Sequence, residues 1–303
     1  VGSNLPPEAF SEPDAPGFPR NGETARVVRA LIDAGAIVVG KAVTTEFAYF
    51  APGPTTNPWN TAHTPGGSSS GSAAAVATGY CHVALGTQTI GSICRPATFC
   101  GVVGFKPSFG RIDCDGVVPF APSADHVGVI ASDTATVRRV APVVVDGWNE
   151  SSAHRGSALD SRRRVHASNE SGAHRGIAAP LHDEGDPARR RHHVRTLLHE
   201  RIRTVLVPDD AYLRQADAHA RAALESVIER LIGLGVAIQR VSIMDDIETI
   251  DAAHKAMIAY EFATVHDRWF DAYKERYDKR SADLVATGKA VTVETYDHAR
   301  RER

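Results

Sequence analysis

The chain has 303 residues, 43% of them apolar, with a net charge of −2 and a pI near 6.7. That much apolar material fills the core of one large domain or two smaller ones, and the near-neutral balance leaves no electrostatic footprint for nucleic acid. No apolar run approaches the ~20 residues needed to span a bilayer, and the start lacks a basic-then-apolar secretory signal, so a cytoplasmic protein is expected.

Asn21 to Ala34 reads as a helix with Val27, Val28, Leu31 and Ile32 on one face, stopped by Gly35. Ala36 to Val39 then reads as a buried strand, which places the amine of Lys41 at the end of a core element. Gly66 to Ser72 has the composition of a flexible linker, but it runs directly into Ala73 to Ala77, a strong helix former ended by Thr78 and Gly79. The glycines therefore form a tight loop feeding a helix N-terminus, a geometry that holds a ligand against backbone amides.

Val83 to Leu85 and Val102 to Phe105 read as short strands, with Pro96 opening a short helix between them. Cys81, Cys94, Cys100 and Cys114 show neither metal-ligand spacing nor a disulfide framework and read as reduced packing residues. Asp209 to Leu234 reads as one long amphipathic helix, Val236 to Ile243 as a strand, and Ile247 to Tyr277 as a helix whose Met257, Tyr260, Phe262, Trp269 and Phe270 supply core bulk.

Asn149 to Arg203 breaks this alternation. It holds 11 arginines, 7 acidic residues, 7 of the 14 histidines and no lysine. NESSAHRG at Asn149 recurs as NESGAHRG at Asn169, a local duplication and not a solenoid. With so few large apolar side chains the segment is expected to be a solvated, poorly ordered insertion, and His192 and His193 are expected to bind metal at most adventitiously. The organisation is thus 1–148 as a core carrying the motifs, 149–203 as an Arg/His-rich insertion, and 204–303 as a helical continuation of the same domain.

Three separated stretches carry the chemistry: AGAIVVGKAVTTEFA around Lys41, PGGSSSGSAAAVATG around Ser68, and ALGTQTIGSICRPATFCGVVGFKPS around Ser92. In this order they resemble the amidase signature family, hydrolases built on a serine, a cis-serine and a lysine. The resemblance is strongest from Thr24 to about Val144 and resumes more weakly from Val205. A P-loop is excluded because no lysine follows the last glycine of the Gly-rich loop, and no G-x-G-x-x-G follows a strand.

The resemblance implies an α/β fold, a mixed twisted sheet covered by helices. Family members usually carry more sheet-forming sequence on both sides, so the chain is expected to be incomplete at both ends. An abrupt change to Arg/His-rich text where the family has ordinary helix and strand suggests that 149–203 is read in the wrong frame.

It also implies that Ser92 is the nucleophile, Ser68 the proton relay and Lys41 the base, with backbone N–H groups of Thr89, Ile90, Gly91 and Ser92 forming the oxyanion hole. No metal or cofactor is implied. A histidine triad is disfavoured because neither serine motif contains a histidine. A lysine base must be neutral, so its pKa has to fall from ~10.4 toward 7 at a cost of ~4 kcal/mol, which burial supplies. The bland alternative for Lys41 is a surface ion pair with Glu46.

The Gly67–Ser68 peptide is implied to be cis, and Ser69 either joins the same network or caps the following helix. Ile90 stands where the family has glycine or alanine, and a β-branched residue resists φ > 0 at the oxyanion turn. Arg95, three residues after Ser92, and the GTQT turn resemble malonamidase-like members, in which such an arginine receives a substrate carboxylate. Lys106 and Asp125 are expected to be structural partners.

The expected partners are a small-molecule amide and a second copy of the chain in a homodimer, without nucleic acid or membrane. The alternatives to a free-standing amidase are the amidase subunit of a tRNA-dependent amidotransferase and an inactive amidase-like fragment.

Overall fold

The computed structural model describes residues 24–148 and 204–302. The expected insertion over 149–203, with its duplication and paired histidines, lies outside the described residues. The first stretch forms α1 (Arg26–Asp33), α2 (Ser70–Ala77), β1 (Val83–Gln88), α3 (Cys94–Cys100), β2 (Val103–Phe105), β3 (His126–Ala131) and α4 (Thr134–Val144). The second forms β4 (Thr204–Pro208), α5 (Ala211–Arg214), α6 (Ala218–Gly233), β5 (Ala237–Val241), α7 (Ile247–Tyr273), α8 (Lys279–Ala290) and α9 (Val293–Glu302).

Strand β3 is the centre of a three-stranded sheet of order β1-β3-β2, antiparallel to both neighbours. Its two-residue period divides its side chains between two cores. Val127, Val129 and Ala131 pack with Val27 of α1 and Val137, Ala141 and Val144 of α4. Ile130 packs on the other face with Ala73 and Val76 of α2 and Ile93, Ala97 and Cys100 at α3. Helices α2 and α3, which carry the serine motifs, therefore lie on one face of this sheet.

That face accommodates close approach because its strands are glycine-bearing. Gly86 of β1 and Gly128 of β3 are directly paired. A Cβ at Gly86 would stand 2.7 Å from Ser69 Oγ and 3.3 Å from Ile93 Cγ1, and one at Gly128 would stand 2.6 Å from Ile93 Cδ1. Ile93, fully buried, fills the socket the two glycines leave.

The chain divides by its contacts into two units, Val1–Ser157 with Ala252–Arg303, and Ala158–Asp251. In the first, α7, α8 and α9 bury Met257, Phe262, Trp269 and Val285 with Phe47 and Phe120. His266 is fully buried there, stacked on Phe262 at 3.9 Å with Nδ1 2.9 Å from the Tyr277 hydroxyl. Burial pushes its pKa down to about 3 and pushes that of Tyr277 up. In the second unit, β4 and β5 pair in parallel, and Asp210 accepts the N–H groups of Ile243, Met244 and Tyr212, which lower its pKa.

Two expectations change here. The single helix over Asp209 to Leu234 is two helices, because Asp217 turns out of the helical conformation to accept the N–H of Ala220 and cap α6. Ala36 to Val39 is not a buried strand: Ile37, Val38 and Val39 are 88%, 58% and 73% exposed. Leaving α1, the chain turns through Gly35 at φ +89°, bonds Ala36 N–H to Leu31, and then continues without a strand partner among the described residues.

Candidate active site

Helix α2 begins where the Gly-rich loop ends, and the Gly67–Ser68 peptide is cis, as the motif implied. Gly66 at φ +76° lets this loop run against α3, since a Cβ there would lie 2.9 Å from Pro96 Cα. The two serine motifs are joined directly by the Ser69 N–H donating to the Ser92 carbonyl at 3.2 Å and by Arg95 Nε donating to the Gly67 carbonyl at 2.9 Å. Ser68, Ser69, Ser92 and Arg95 are thereby brought together. Ser68 and Ser92 are 2% and 9% exposed, and the Ser68 hydroxyl has no hydrogen-bond partner among the described residues.

Ser69 neither caps α2 nor bonds the Ser68 hydroxyl. Its hydroxyl bridges the Thr87 N–H and carbonyl, each at 3.3 Å, fastening α2 to β1. Ile90 does not adopt a positive φ, so its β-branch meets no left-handed requirement, and its side chain is 59% exposed beside the turn.

Lys41 is exposed, contrary to the expectation of a buried amine, because the run before it is not covered. The C-terminal end of its segment is nevertheless pinned at the site. Val43 accepts the Gly71 N–H at 2.8 Å, and the Thr45 N–H donates to the Ser68 carbonyl at 3.1 Å. A Cβ at Gly71 would fall 2.5 Å from Val43 N, so this contact requires glycine. The following corner holds Phe47 and Ala48 at φ +45° and +62°, with Phe47 buried against His266, Trp269 and Tyr277. Glu46 is not an ion-pair partner of Lys41; its carboxylate accepts the Asp278 N–H at 3.0 Å.

Two side chains not assigned to the site brace the turn that bears Ser92. Gln88 is buried, accepts the N–H groups of Ile93 and Cys94 at 2.8 and 2.9 Å, and donates to the Ile90 carbonyl at 2.9 Å. Asp125, expected to be structural, accepts from the Thr89 hydroxyl at 2.7 Å and from the Phe120 and Ala121 N–H groups. Burial raises its pKa to about 6 against the opposing pull of those hydrogen bonds. Lys106 donates to the adjacent Pro107 carbonyl. The sequence signal for Gln88 is GTQT, which is not a turn over its first three residues: Gly86 to Gln88 end strand β1, and the Gln88 side chain reaches forward over the residues that follow.

Among the described residues no cluster of histidine, cysteine and carboxylates is placed to hold a metal ion, and no helix is long and apolar enough to cross a membrane.

A cis-serine loop bonded to a second serine turn on a glycine-lined sheet is accompanied by a match of the amidase family model to residues 18–302. The chain belongs to the amidase signature family. Among curated relatives, a glutamyl-tRNA(Gln) amidotransferase subunit of Synechococcus sp. (strain CC9605) is 52% identical over 124 residues, which is 39% of this chain and 25% of that protein. An amidase crystal structure aligns with 99% of this chain and 59% of its own at a TM-score of 0.69 and 26% identity. Native peptide amidase from Stenotrophomonas maltophilia aligns with 92% of this chain and 58% of its own at a TM-score of 0.65 and 25% identity. The chain spans little more than half the length of these structures and matches a quarter of that curated relative.

Proposed function

We propose that this amidase-family chain hydrolyses the carbon–nitrogen bond of a small amide through an acyl-enzyme on Ser92. The observation that carries the reading is the direct joining of the two serine turns, with the Ser68 hydroxyl buried and unpartnered beside the turn that bears Ser92. The Ser92 oxygen attacks the carbonyl carbon and passes its proton through Ser68 to Lys41. The N–H groups of Thr89, Ile90, Gly91 and Ser92 take up the oxyanion. The amine leaves with the proton, and water then attacks the acyl-enzyme by the same relay.

Lys41 lies two residues before Val43, whose carbonyl is bonded to Gly71, so its segment ends against the Ser68 loop. The carboxylate-binding role of Arg95 rests on its place three residues after Ser92. Its Nε is engaged by Gly67, and the two terminal nitrogens remain to fork onto a carboxylate, as in malonamate. The test is covalent labelling by a fluorophosphonate probe, blocked by Ser92→Ala, followed by an amide panel comparing carboxylated with neutral substrates.

The second reading is the amidase subunit of a tRNA-dependent amidotransferase, with glutamine as substrate and a stable partner protein. The 52% identity with the Synechococcus protein over 124 residues favours it. Co-purification of a partner with glutamine-dependent ammonia release distinguishes it from a free-standing amidase. An inactive amidase-like chain is the third, motivated by the exposed Lys41, and a cooperatively melting protein that no probe labels is its signature.

A further inference from the structure

We infer that Gln88 is a positioning residue for the oxyanion hole, aiming the Gly91 N–H and fixing the peptide planes that follow Ser92; this rests on the amidase reading above. Its orientation is fixed by chemistry. Two N–H donors, from Ile93 and Cys94, converge on one terminal atom, which must be the oxygen, and the other terminal atom meets the Ile90 carbonyl, which requires the NH2 group.

Carbonyl and N–H point in opposite directions across a planar trans peptide. Gln88 pulls the Ile90 carbonyl toward itself, so the Gly91 N–H faces the opposite side. It likewise draws in the Ile93 N–H, which turns the Ser92 carbonyl outward, and that carbonyl accepts from Ser69. The Cys94 N–H is also taken by Gln88, and the Ile93 carbonyl turns outward to accept from Ala97. The remaining plane is set from α3, where the Arg95 N–H holds the Gly91 carbonyl at 2.8 Å and so directs the Ser92 N–H the other way.

One buried amide thus sets three of the four peptide planes around the nucleophile while touching no substrate. A carboxylate at this position would keep the acceptor half of the clamp and lose the donor half. A thioether would lose both.

The experiment compares Gln88→Glu and Gln88→Met with wild type in fluorophosphonate labelling, a reaction in which the Ser92 oxygen forms a bond to phosphorus, fluoride leaves, and the phosphoryl oxygen occupies the oxyanion site. A positioning role predicts that the maximal labelling rate falls about 10- to 100-fold in both variants while the half-saturating probe concentration changes less than about twofold. Gln88→Glu also supplies a pH signature: protonating the introduced carboxyl restores a donor to Ile90, so the variant-to-wild-type rate ratio climbs as pH falls and that carboxyl takes up its proton. The titratable groups around the clamp are His126 across the ladder, Asp125 on Thr89 and Arg95 on α3; all are present in both proteins.

Unchanged labelling rates in folded variants overturn the proposal and leave the amidase reading intact. A flat rate ratio with pH, or rate losses matched by melting in both variants, makes Gln88 a structural brace only and also overturns it. A wild-type protein that no probe labels overturns the amidase reading, and the positioning role falls with it.

Discussion

The serine turns and the lysine segment come from motifs of equal clarity, yet the chain builds them differently. Ser68 and Ser92 sit among crossed backbone bonds on a glycine-lined sheet face, with Gln88, Asp125 and Arg95 each tying one loop to the next. Lys41 follows a run whose Ile37 and Val39 stand 88% and 73% exposed, anchored only from Val43 onward. The first arrangement is specified by residues between Gly66 and Ala131 that contact one another, with Val43 and Thr45 closing on the Ser68 loop. The second depends on whatever covers residues 36 to 42, and so on contacts the local sequence does not supply.

The sharpest test of this contrast is the pair Ser92→Ala and Lys41→Ala. Ser92→Ala should lower amide hydrolysis by about 10⁴-fold or more, with little change in melting temperature. If Lys41 is the base despite its exposure, Lys41→Ala should be nearly as damaging, and the double variant barely worse than either single one. A Lys41→Ala protein that keeps most of its rate at neutral pH breaks the relay and leaves the serine half standing.

Next in size is Arg95→Met, which on the proposed reading removes a charge-assisted fork and should cost about 2 to 4 kcal/mol, or roughly 30- to 700-fold in kcat/KM for carboxylated amides such as malonamate. Neutral amides of similar size should lose far less. Equal losses would mean that the bond from Arg95 to Gly67 is the whole of its contribution.

Asp125 offers a test by pH. Its pKa is raised from 3.8 to about 6, so between those values the folded protein holds a proton that the unfolded chain has released. Its contribution to stability is therefore full below pH 3.8 and is lost as pH rises through about 6, a change of up to about 3 kcal/mol. Asp125→Asn should remove that component, seen as a flatter dependence of wild-type minus variant stability outside this window than within it. A difference that stays constant from about pH 4 to 7 rules it out.

Gly128→Ala should destabilise by about 1 to 3 kcal/mol, because the added methyl meets the Phe105 carbonyl and Ile93 Cδ1. At the small end, Ile37→Thr in the exposed run should change stability by less than about 0.5 kcal/mol. A large loss at Ile37, read by thermal melting, would mean that the run is covered in solution and that the contrast between the two segments is false.

What the sequence reveals follows the same division. The loop-to-helix passage at α2 and strands β1 and β2 are legible because glycine placement and apolar runs act locally. The apolar character of Ala36 to Val39 is legible too, but its burial is not, since exposure is decided by distant partners. The break at Asp217 is written in the sequence as an aspartate three residues before Ala220, the spacing of a side-chain cap, and is masked by the apolar periodicity on either side. Strand β3 and helix α4 emerge only from the structure, although HVGVIA has strand composition and Asp133 caps α4. The Ser92 turn is locatable from its motif, but Gln88 and Asp125 as its braces are not: a side chain at the end of β1 reaching forward over the next residues, or Asp125 reaching onto Thr89, leaves no periodic trace.

The socket of Gly86, Gly128 and Ile93 ties more than its three residues together. A methyl at Gly86 would meet Ser69 Oγ before it met Ile93, and one at Gly128 would meet the Phe105 carbonyl as well as Ile93, so a smaller residue beside Ser92 would admit neither and would leave a void that the glycines cannot fill. The two strand glycines thus answer at once to the cis-serine loop, to β2 and to the residue following Ser92, and no single exchange at one of them is free of the others.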